Sequence, residues 1–427
     1  MAKSQILYDR SMKRFNTQSM GVFIIFYFFA LRVAYAQDAL HQQCPLEWHK
    51  RNGHLIPDAP ESEAIKKLNQ DYSKPWRSEA DADGDGVENE YDPSPYDWRE
   101  CGYNPFGTLE FLSWNHSWNN YKYNNERLEK IVRLLKEAGV SYVRVDMLWQ
   151  DMEPEPNNWN FKKYDYLVNL LTQNHIRILG LLSYSVSWAG KDWNYPPYDN
   201  ATFVNYAKRV VSRYKDKVKY WEIWNEPDSP VYWVERDEMK GYAQLLKESY
   251  QVIKESDPSA KVVLGGLTSE ALFPLKNIYR NGGKDYFDVV NIHPFTNPLA
   301  PGRLQRVKVI YKNIRKEMVK NGDGHKKIWF TEIGCPGVKE AVKANGWWEG
   351  KSPTEKQQAR WVREIYSELL SLEDVEKIFW AFFRDTKEHF KNGVDYFGLV
   401  RWDFSKKPGV SAYKKCVRKW EHTKQPR

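Results

Sequence analysis

Two glutamates in the second half of the chain are surrounded by residues that suit bond-breaking chemistry. Glu226 lies in the run WNEP (224–227) and Glu332 in the run TEIG (331–334), each directly after a short apolar, β-rich stretch. Proline cannot donate to a β-ladder, so Pro227 should end its strand and leave Glu226 just beyond it. Because paired carboxylates can protonate a departing oxygen and attack an anomeric carbon, this pair predicts glycoside cleavage.

The distance between two such carboxylates decides the stereochemistry. A separation of about 5–5.5 Å leads to retention of configuration, and about 6.5–9.5 Å leads to inversion because the wider gap admits water. In either case one carboxyl group must keep its proton while the other stays ionised. The elements that carry the two glutamates must therefore set this distance.

Short β-rich runs alternate with helical patterns from residue 102 onward. The predicted strands lie near 108–112, 142–146, 178–182, 220–223, 262–264, 289–292, 328–330 and 378–382. The predicted helices include 125–138, 161–174, 201–214, 238–255, 303–321 and 353–371. Eight strands joined by helices predict an α/β fold, a (β/α)8 TIM barrel. A doubly wound sheet is the alternative, although no glycine-rich phosphate loop follows the first strand.

The carboxyl ends of these strands are rich in polar and aromatic residues. In strand order they are Arg144 and Asp146, Tyr184, Asn225 with Glu226, His293, Glu332, and Trp380 or Arg384. Reactive residues of such barrels lie at this end, so we expect these side chains to meet at one mouth.

These motifs resemble those of the retaining glycoside hydrolases of clan A. The runs RVDMLW (144–149), NEPD (225–228), DVVNIHP (288–294) and FGLV (397–400) are similar, within that clan, to glycoside hydrolase family 39 and its relatives. The resemblance covers about residues 102–420. It implies a TIM-barrel catalytic domain that acts by double displacement.

The resemblance also implies a role for each residue at the mouth. Glu226 would be the acid/base, Glu332 the nucleophile, and Asn225 would bind the hydroxyl beside the reacting carbon. His293 would orient polar groups around the acid/base, with a purely structural hydrogen-bonding role as the alternative. Arg144 would hold Glu332 ionised, since a nearby cation lowers a carboxylate pKa; a simple ion pair with Asp146 is its alternative.

Aromatic residues are candidates for sugar binding. Trp380 would form a platform, and Trp149 or Trp188 would line outer subsites, although each ring could equally serve in packing. Many clan members carry a tyrosine two residues after the histidine of the sixth strand, where this chain has Phe295. Tyr184 or Tyr286 would then supply the missing hydroxyl.

An acidic run before the barrel has the spacing of a calcium loop. Carboxylates, a polar side chain and one backbone carbonyl fall at the ligand positions Asp81, Asp83, Asp85, Val87, Asn89 and Asp92. The flanking residues are not helical, so the loop resembles those of thrombospondin type 3 repeats more than an EF-hand. We expect a structural Ca²⁺ here, with a solvated acidic turn as the alternative, and no cofactor for catalysis.

The N-terminus has the features of an export signal. Basic residues precede an apolar run at 21–31, and Ala34-Tyr35-Ala36 provides a cleavage site, so residues 1–36 read as a signal peptide. An uncleaved anchor is the alternative. We therefore expect a secreted, periplasmic or cell-surface protein, with an N-terminal segment at 37–101 and the catalytic domain at 102–427.

An oxidising compartment permits disulfides between the four cysteines, for which three pairings exist. Cys44 with Cys101 is the favoured pair, because it would close the segment before the barrel. Cys335 and Cys416 could pair or stay free.

The composition narrows the class of ligand. The chain has 19 Trp and 27 Tyr among 427 residues, a surplus that suits sugar binding. The net charge is +8, but the basic residues are interspersed with acidic ones and form no continuous basic stripe. We therefore expect no nucleic-acid partner and no membrane contact beyond export. The basic end at 414–427 is predicted to be solvated.

We expect a secreted retaining glycosidase acting on a polysaccharide or oligosaccharide, with β-linkages. A catalytically inactive, polysaccharide-binding barrel is the alternative. A metal-dependent hydrolase is disfavoured, because no His-x-His cluster lies on a predicted strand.

Overall fold

A computed structural model describes residues 48–51, 54–57, 104–116, 119, 121, 124–340, 352–390 and 393–424. The chain divides into two compact units, Met1–Lys66 and Lys67–Arg427. In the first unit, strands β1 (Trp48–Arg51) and β2 (His54–Pro57) form an antiparallel hairpin. The expected signal peptide, the calcium loop at 81–92, Cys44 and Cys101 lie outside the described residues.

The second unit contains eight parallel strands that close into a barrel, in which β10 pairs with both β9 and β3. The strands are β3 (Phe106–Leu109), β4 (Tyr142–Asp146), β5 (Arg177–Leu182), β6 (Tyr220–Asn225), β7 (Lys261–Gly266), β8 (Val289–Asn291), β9 (Lys327–Ile333) and β10 (Val375–Ala381). Each overlaps a predicted strand, so the (β/α)8 TIM-barrel prediction is confirmed. The first strand ends three residues earlier than predicted, because pairing with β10 stops at Leu109.

Helices alternate with these strands along the chain. They are α1 (Asn125–Ala138), α2 (Trp149–Met152), α3 (Lys162–Gln173), α4 (Asn200–Tyr214), α5 (Lys240–Ser256), α6 (Leu272–Arg280), α7 (Arg303–Lys320), α8 (Glu355–Leu369) and α9 (Pro408–Lys424). Two short 3-10 helices cover Lys284–Tyr286 and Gly393–Tyr396. The bounds of α1 follow local capping: Asn124 Oδ1 accepts from Arg127 N at 2.7 Å, and Gly139 ends the helix with a φ of 81°.

The C-terminal segment exposes Lys415, Arg418 and Lys419 to solvent, while its other face is buried. Helix α9 packs on the barrel: Tyr413 is fully buried and its hydroxyl donates to Gly107 O at 3.0 Å. Val417 is also buried, against Gly139 after α1. The lysines of this segment occupy the outer face of an amphipathic helix, which the charge count alone did not reveal.

The amino-terminal end of the barrel is filled by aromatic side chains. Tyr142, Trp329 and Phe379 belong to a separate buried cluster there. The Lys377 ammonium group is 4.6 Å from the ring centroid of Tyr142 and 4.8 Å from that of Trp329. These cation–π contacts hold a buried charge at the floor. Side chains therefore fill this end of the barrel.

Two cysteines fall within the described residues, and both are free thiols. Cys335 is buried and Cys416 is partly buried. Among the helices that the structure describes, none has the length and apolar character required to cross a membrane.

Candidate active site

The site lies at the carboxyl ends of four barrel strands. Strand β4 carries Arg144, β6 ends in Asn225, and β9 carries Glu332. His293 follows β8 by two residues. The structure thus brings together the five predicted polar residues, including Glu226 directly after β6.

The backbone at the end of β6 has an unusual conformation. Trp224 has a φ of 65° and Glu226 a φ of 42°, both in the left-handed region that non-glycine residues rarely occupy. Pairing with β7 still includes Asn225, opposite Gly266, before the chain leaves the sheet at Pro227. Strained backbone of this kind persists where the surrounding structure holds it, and here it directs Glu226 into the mouth.

The two glutamates lie close together. One carboxylate oxygen of Glu226, one of Glu332 and one ring nitrogen of His293 all lie within 4.8 Å of one another. The side chains of Glu226 and Glu332 are 15% and 13% exposed, while the His293 side chain is fully buried. A ligand at the mouth can therefore reach both glutamates but not the histidine.

Arg144 connects the nucleophile candidate to a second, deeper carboxylate. Its Nη1 donates to Glu332 Oε1 at 2.6 Å, and its Nη2 donates to Asn225 Oδ1 at 2.9 Å. Its Nε and Nη2 also bind the two oxygens of Glu222 at 2.7 and 2.8 Å. Four of the five guanidinium N–H groups are thus engaged. Asp146, the alternative partner, instead accepts from Trp114 Nε1 at 2.9 Å.

Sequence reasoning missed Glu222. It is fully buried inside β6, where it also accepts from Gly266 N and Asn291 Nδ2, both at 3.0 Å. The signal was present, since an acid within an apolar strand requires a buried partner.

Sequence reasoning also missed two polar residues behind His293. Its Nε2 lies 2.9 Å from Thr331 Oγ1, and Thr331 in turn contacts Asn291. Its Nδ1 lies 3.0 Å from Glu226 Oε1. Gly266 leaves room for the ring, because a Cβ there would lie 2.0 Å from His293 Nε2.

The surroundings separate the two glutamates electrostatically. Burial raises the pKa of Glu226 to about 7, against the lowering effect of Arg144. Burial lowers the pKa of His293 to about 4, so this direct partner of Glu226 is neutral. Burial also raises the pKa of Glu332, but Arg144 opposes this through a direct ion pair at 2.6 Å. Glu226 is therefore the better proton carrier, and Glu332 the better anion.

The two tryptophans predicted to bind sugar offer no open face. Trp149 is 1% exposed, stacks on Tyr206 with centroids 5.3 Å apart, and donates to Glu153 Oε2. Trp380 is fully buried, and its Nε1 donates to Phe397 O at 2.9 Å. Both rings pack in the core, which contradicts the platform predicted for Trp380 and the outer subsite predicted for Trp149. Trp188 remains partly exposed.

Of the two tyrosines expected near the glutamates, Tyr184 lies close enough for the charge of Glu332 to act on it, and Tyr286 does not lie at the mouth. Tyr286 packs against Tyr250, and its short helix precedes the amino-terminal end of β8, far from the mouth. Tyr184 stacks on Tyr232 with centroids 6.2 Å apart. Burial, together with the charges of Glu226 and Glu332, raises the pKa of Tyr232. Tyr232 lies on the loop after β6 and was not identified from the sequence.

Among the described residues, the group of His and acidic side chains close enough to hold a metal ion is Glu226, His293 and Glu332. Both ring nitrogens of His293 already have hydrogen-bond partners, Glu226 and Thr331. The donor set is therefore arranged for proton handling more than for a resident cation.

Comparisons with known proteins agree with this geometry. A family model described as Cellulase (glycosyl hydrolase family 5) matches residues 102–381. An aryl-phospho-beta-D-glucosidase of Bacillus subtilis is 31% identical over 109 residues, which cover 23% of each chain. A 6-phospho-beta-glucosidase of Clostridium longisporum is 28% identical over 115 residues, 25% of this chain and 24% of that protein. The chain thus aligns with about a quarter of these relatives.

Solved structures share the fold. A family 39 glycoside hydrolase from Bacteroides cellulosilyticus WH2 has a TM-score of 0.59 at 22% identity, covering 74% of this chain and 64% of that one. The exo-beta-1,4-mannosidase Op5Man5 from Opitutaceae bacterium strain TAV5 has a TM-score of 0.58 at 13% identity, covering 75% and 60%.

Proposed function

Because the chain belongs to the cellulase family, glycosyl hydrolase family 5 of clan A, we propose that it cleaves β-glycosidic bonds with retention of configuration. The substrate class is a polysaccharide or oligosaccharide. The observation that carries the proposal is the Glu226–Glu332 pair, whose nearest oxygens approach within 4.8 Å at the barrel mouth. This short separation favours the retaining geometry over the wider inverting one.

In the first step, Glu226 donates its proton to the departing glycosidic oxygen while Glu332 attacks the anomeric carbon. The carbon–oxygen bond breaks, and a glycosyl ester forms on Glu332. In the second step, the Glu226 carboxylate removes a proton from water, which attacks the same carbon and releases Glu332. Each carboxyl group then returns to its starting protonation state.

Asn225 suits the role of binding the hydroxyl beside the reacting carbon. Its Oδ1 accepts from Arg144, which directs its Nδ2 away from the guanidinium as a hydrogen-bond donor. A donor at this position stabilises negative charge on the sugar hydroxyl as the transition state forms.

We also propose a more specific similarity, to glycoside hydrolase family 39 within clan A. The family model places the chain in family 5, and the family 39 structure at 22% identity supports the fold that the two families share. The sequence motifs and the family model agree on clan A, and they differ on the family within it. We keep the family 39 likeness as a proposal for the motifs around Glu226 and His293.

We further propose that the protein is exported through residues 1–36 and that Ca²⁺ stiffens the segment before the barrel. The ligands would be Asp81, Asp83, Asp85, Val87, Asn89 and Asp92. The spacing of these residues supports the proposal. Calorimetric titration with Ca²⁺ of the exported wild-type protein and of the double variant Asp83→Asn/Asp85→Asn would test the calcium proposal. Equal heats of binding in the two proteins would contradict it.

Hydrolysis of a panel of aryl β-glycosides and β-linked polysaccharides tests the main proposal. The panel includes 6-phosphorylated aryl glycosides, because the relatives named above act on them by name. We expect product of retained configuration by NMR, little turnover in Glu332→Gln, and azide rescue of Glu226→Gln on activated substrates. Glu129→Gln, at an exposed position of α1, is the matched control.

An inactive wild type that still binds glycans would favour the inactive-barrel alternative. Phe295 supports considering it, since this residue replaces a tyrosine common in the clan. An inverted product would reject the retaining mechanism while leaving glycoside cleavage in place.

A further inference from the structure

We propose that the Thr331 hydroxyl sets the tautomer of His293 and thereby keeps the acid proton of Glu226 on Oε2, the oxygen not bonded to His293. The inference rests on the proposed function, because it concerns the acid step at Glu226. Thr331 does not touch the substrate in this scheme and acts as a positioning residue. It is one link in a buried chain of hydrogen bonds from Glu222 to Glu226.

The orientation of the Asn291 amide is fixed by two partners. Its Oδ1 accepts from Thr331 N at 3.1 Å, and a backbone N–H can only donate. Its Nδ2 donates to Glu222 Oε1 at 3.0 Å, a carboxylate that Arg144 also binds. A flipped amide would place donor against donor at Thr331 N and acceptor against acceptor at Glu222.

The same amide then determines what the Thr331 hydroxyl can do. Asn291 Nδ2 has a second hydrogen, and it donates to Thr331 Oγ1 at 2.7 Å. The hydroxyl proton has two acceptors in reach, Asn291 Oδ1 at 3.0 Å and His293 Nε2 at 2.9 Å. Oδ1 has two lone pairs and can accept from both Thr331 N and the hydroxyl, so two arrangements satisfy the buried atoms. Donation to Nε2 is the one that leaves the Glu226 proton free for the leaving group, as the proposed acid step requires.

A neutral imidazole carries one N–H, and burial keeps His293 neutral above about pH 4. If Nε2 accepts from Thr331, the hydrogen is on Nδ1, which donates to Glu226 Oε1 at 3.0 Å. Oε1 is then an acceptor, so the acid proton of Glu226 lies on Oε2. The opposite tautomer would take that proton onto Oε1, toward the histidine and away from the leaving group.

Thr331→Val removes the hydroxyl at nearly constant volume, and Thr331→Ser retains it. Both are compared on glycosides with a 2,4-dinitrophenol leaving group, which departs without protonation, and with phenol or methanol, which require it. We expect kcat/KM of Thr331→Val to fall about tenfold more for the poor leaving groups, a fraction of what a general acid supplies. Thr331→Ser should restore the wild-type ratio.

Thr108→Val is the matched control. This buried strand threonine donates to Trp380 O at 2.8 Å and, within the described part of the chain, hydrogen-bonds to neither glutamate, so its loss should lower activity equally on both substrate types. An equal loss in Thr331→Val would overturn the inference.

A second measurement does not depend on turnover or on the stability of the variant. ¹⁵N NMR of the histidine rings in the wild type should show His293 protonated at Nδ1, with its signal assigned by its loss in His293→Asn. Protonation at Nε2 would overturn the inference. If the wild type hydrolyses no glycoside, the proposed function fails, while this spectrum still decides the tautomer.

Discussion

Arg144 Nη1 lies 2.6 Å from Glu332 Oε1, while the same guanidinium binds both oxygens of Glu222 below it. One cation therefore serves two carboxylates, one open to the mouth and one completely buried. Burial with good geometry makes such a pair costly to break from one side. The arrangement couples the ionisation of the nucleophile candidate to the stability of the barrel.

Removing Arg144 should reduce stability as well as activity. Arg144→Met leaves Glu222 buried without its cation, so we expect the free energy of unfolding to fall by about 3–5 kcal/mol. Adding Glu222→Gln should recover part of this loss, because Glu222 then no longer holds an unpaired buried charge, without restoring activity. Denaturant titration of the single and double variants measures the coupling. Strictly additive losses would contradict it.

The activity should decline at alkaline pH. Glu226 must be protonated in the first step, and burial raises its pKa to about 7. The kcat/KM for substrates with poor leaving groups is therefore full below this pKa and is lost as pH rises through about 7. Dinitrophenyl substrates, measured in parallel, should show a weaker alkaline decline. An identical decline for both would point to a different group.

Glu226 should make the fold less stable as pH rises. Its pKa is raised from 4.5 to about 7 in the folded protein, so the unfolded chain binds fewer protons between these values. The free energy of unfolding should therefore decrease across this range. Glu226→Gln removes the effect, and we expect it to be more stable than wild type at pH 8 by about 1–3 kcal/mol. Thermal unfolding at pH 4 and pH 8 tests this: the two proteins should agree at pH 4.

Gly266→Ala should abolish most activity through His293. The added Cβ would lie 2.0 Å from His293 Nε2, so the ring must move and its bond to Glu226 is lost. We expect kcat/KM to fall by about 10²-fold, comparable to loss of a general acid. Gly393→Ala is the control, since its nearest neighbour would lie 3.6 Å away. Wild-type activity in Gly266→Ala would show that the histidine position is not required.

The barrel could be predicted because each strand is a short β-rich run followed by an amphipathic helix, and its spacing repeats. Glu226 and Glu332 could be predicted because reactive residues of such barrels lie at the carboxyl ends of strands, where both glutamates occur. The roles of Glu222, Asn291 and Thr331 could not, because they depend on partners across the barrel; for Glu222 the sequence indicated only that a buried partner must exist.

The aromatic predictions failed for a related physical reason. A tryptophan near a strand end can face the mouth or the surrounding helices, and the sequence does not distinguish these directions. Trp149 turns toward Tyr206, and Trp380 is covered on all sides. Tyr232 was overlooked because it lies on a loop, where no periodicity indicates direction.

The aromatic side chains around Lys377 fill the amino-terminal end of the barrel, so we expect substrate and products to pass through the mouth at the opposite end. The first product must therefore leave through the mouth before water can reach the sugar held on Glu332. Any small alcohol present in excess would travel the same route and meet the same base at Glu226. Water and alcohol therefore compete for the same glycosyl group on Glu332. Methanol at high concentration should yield methyl glycosides in competition with free sugar.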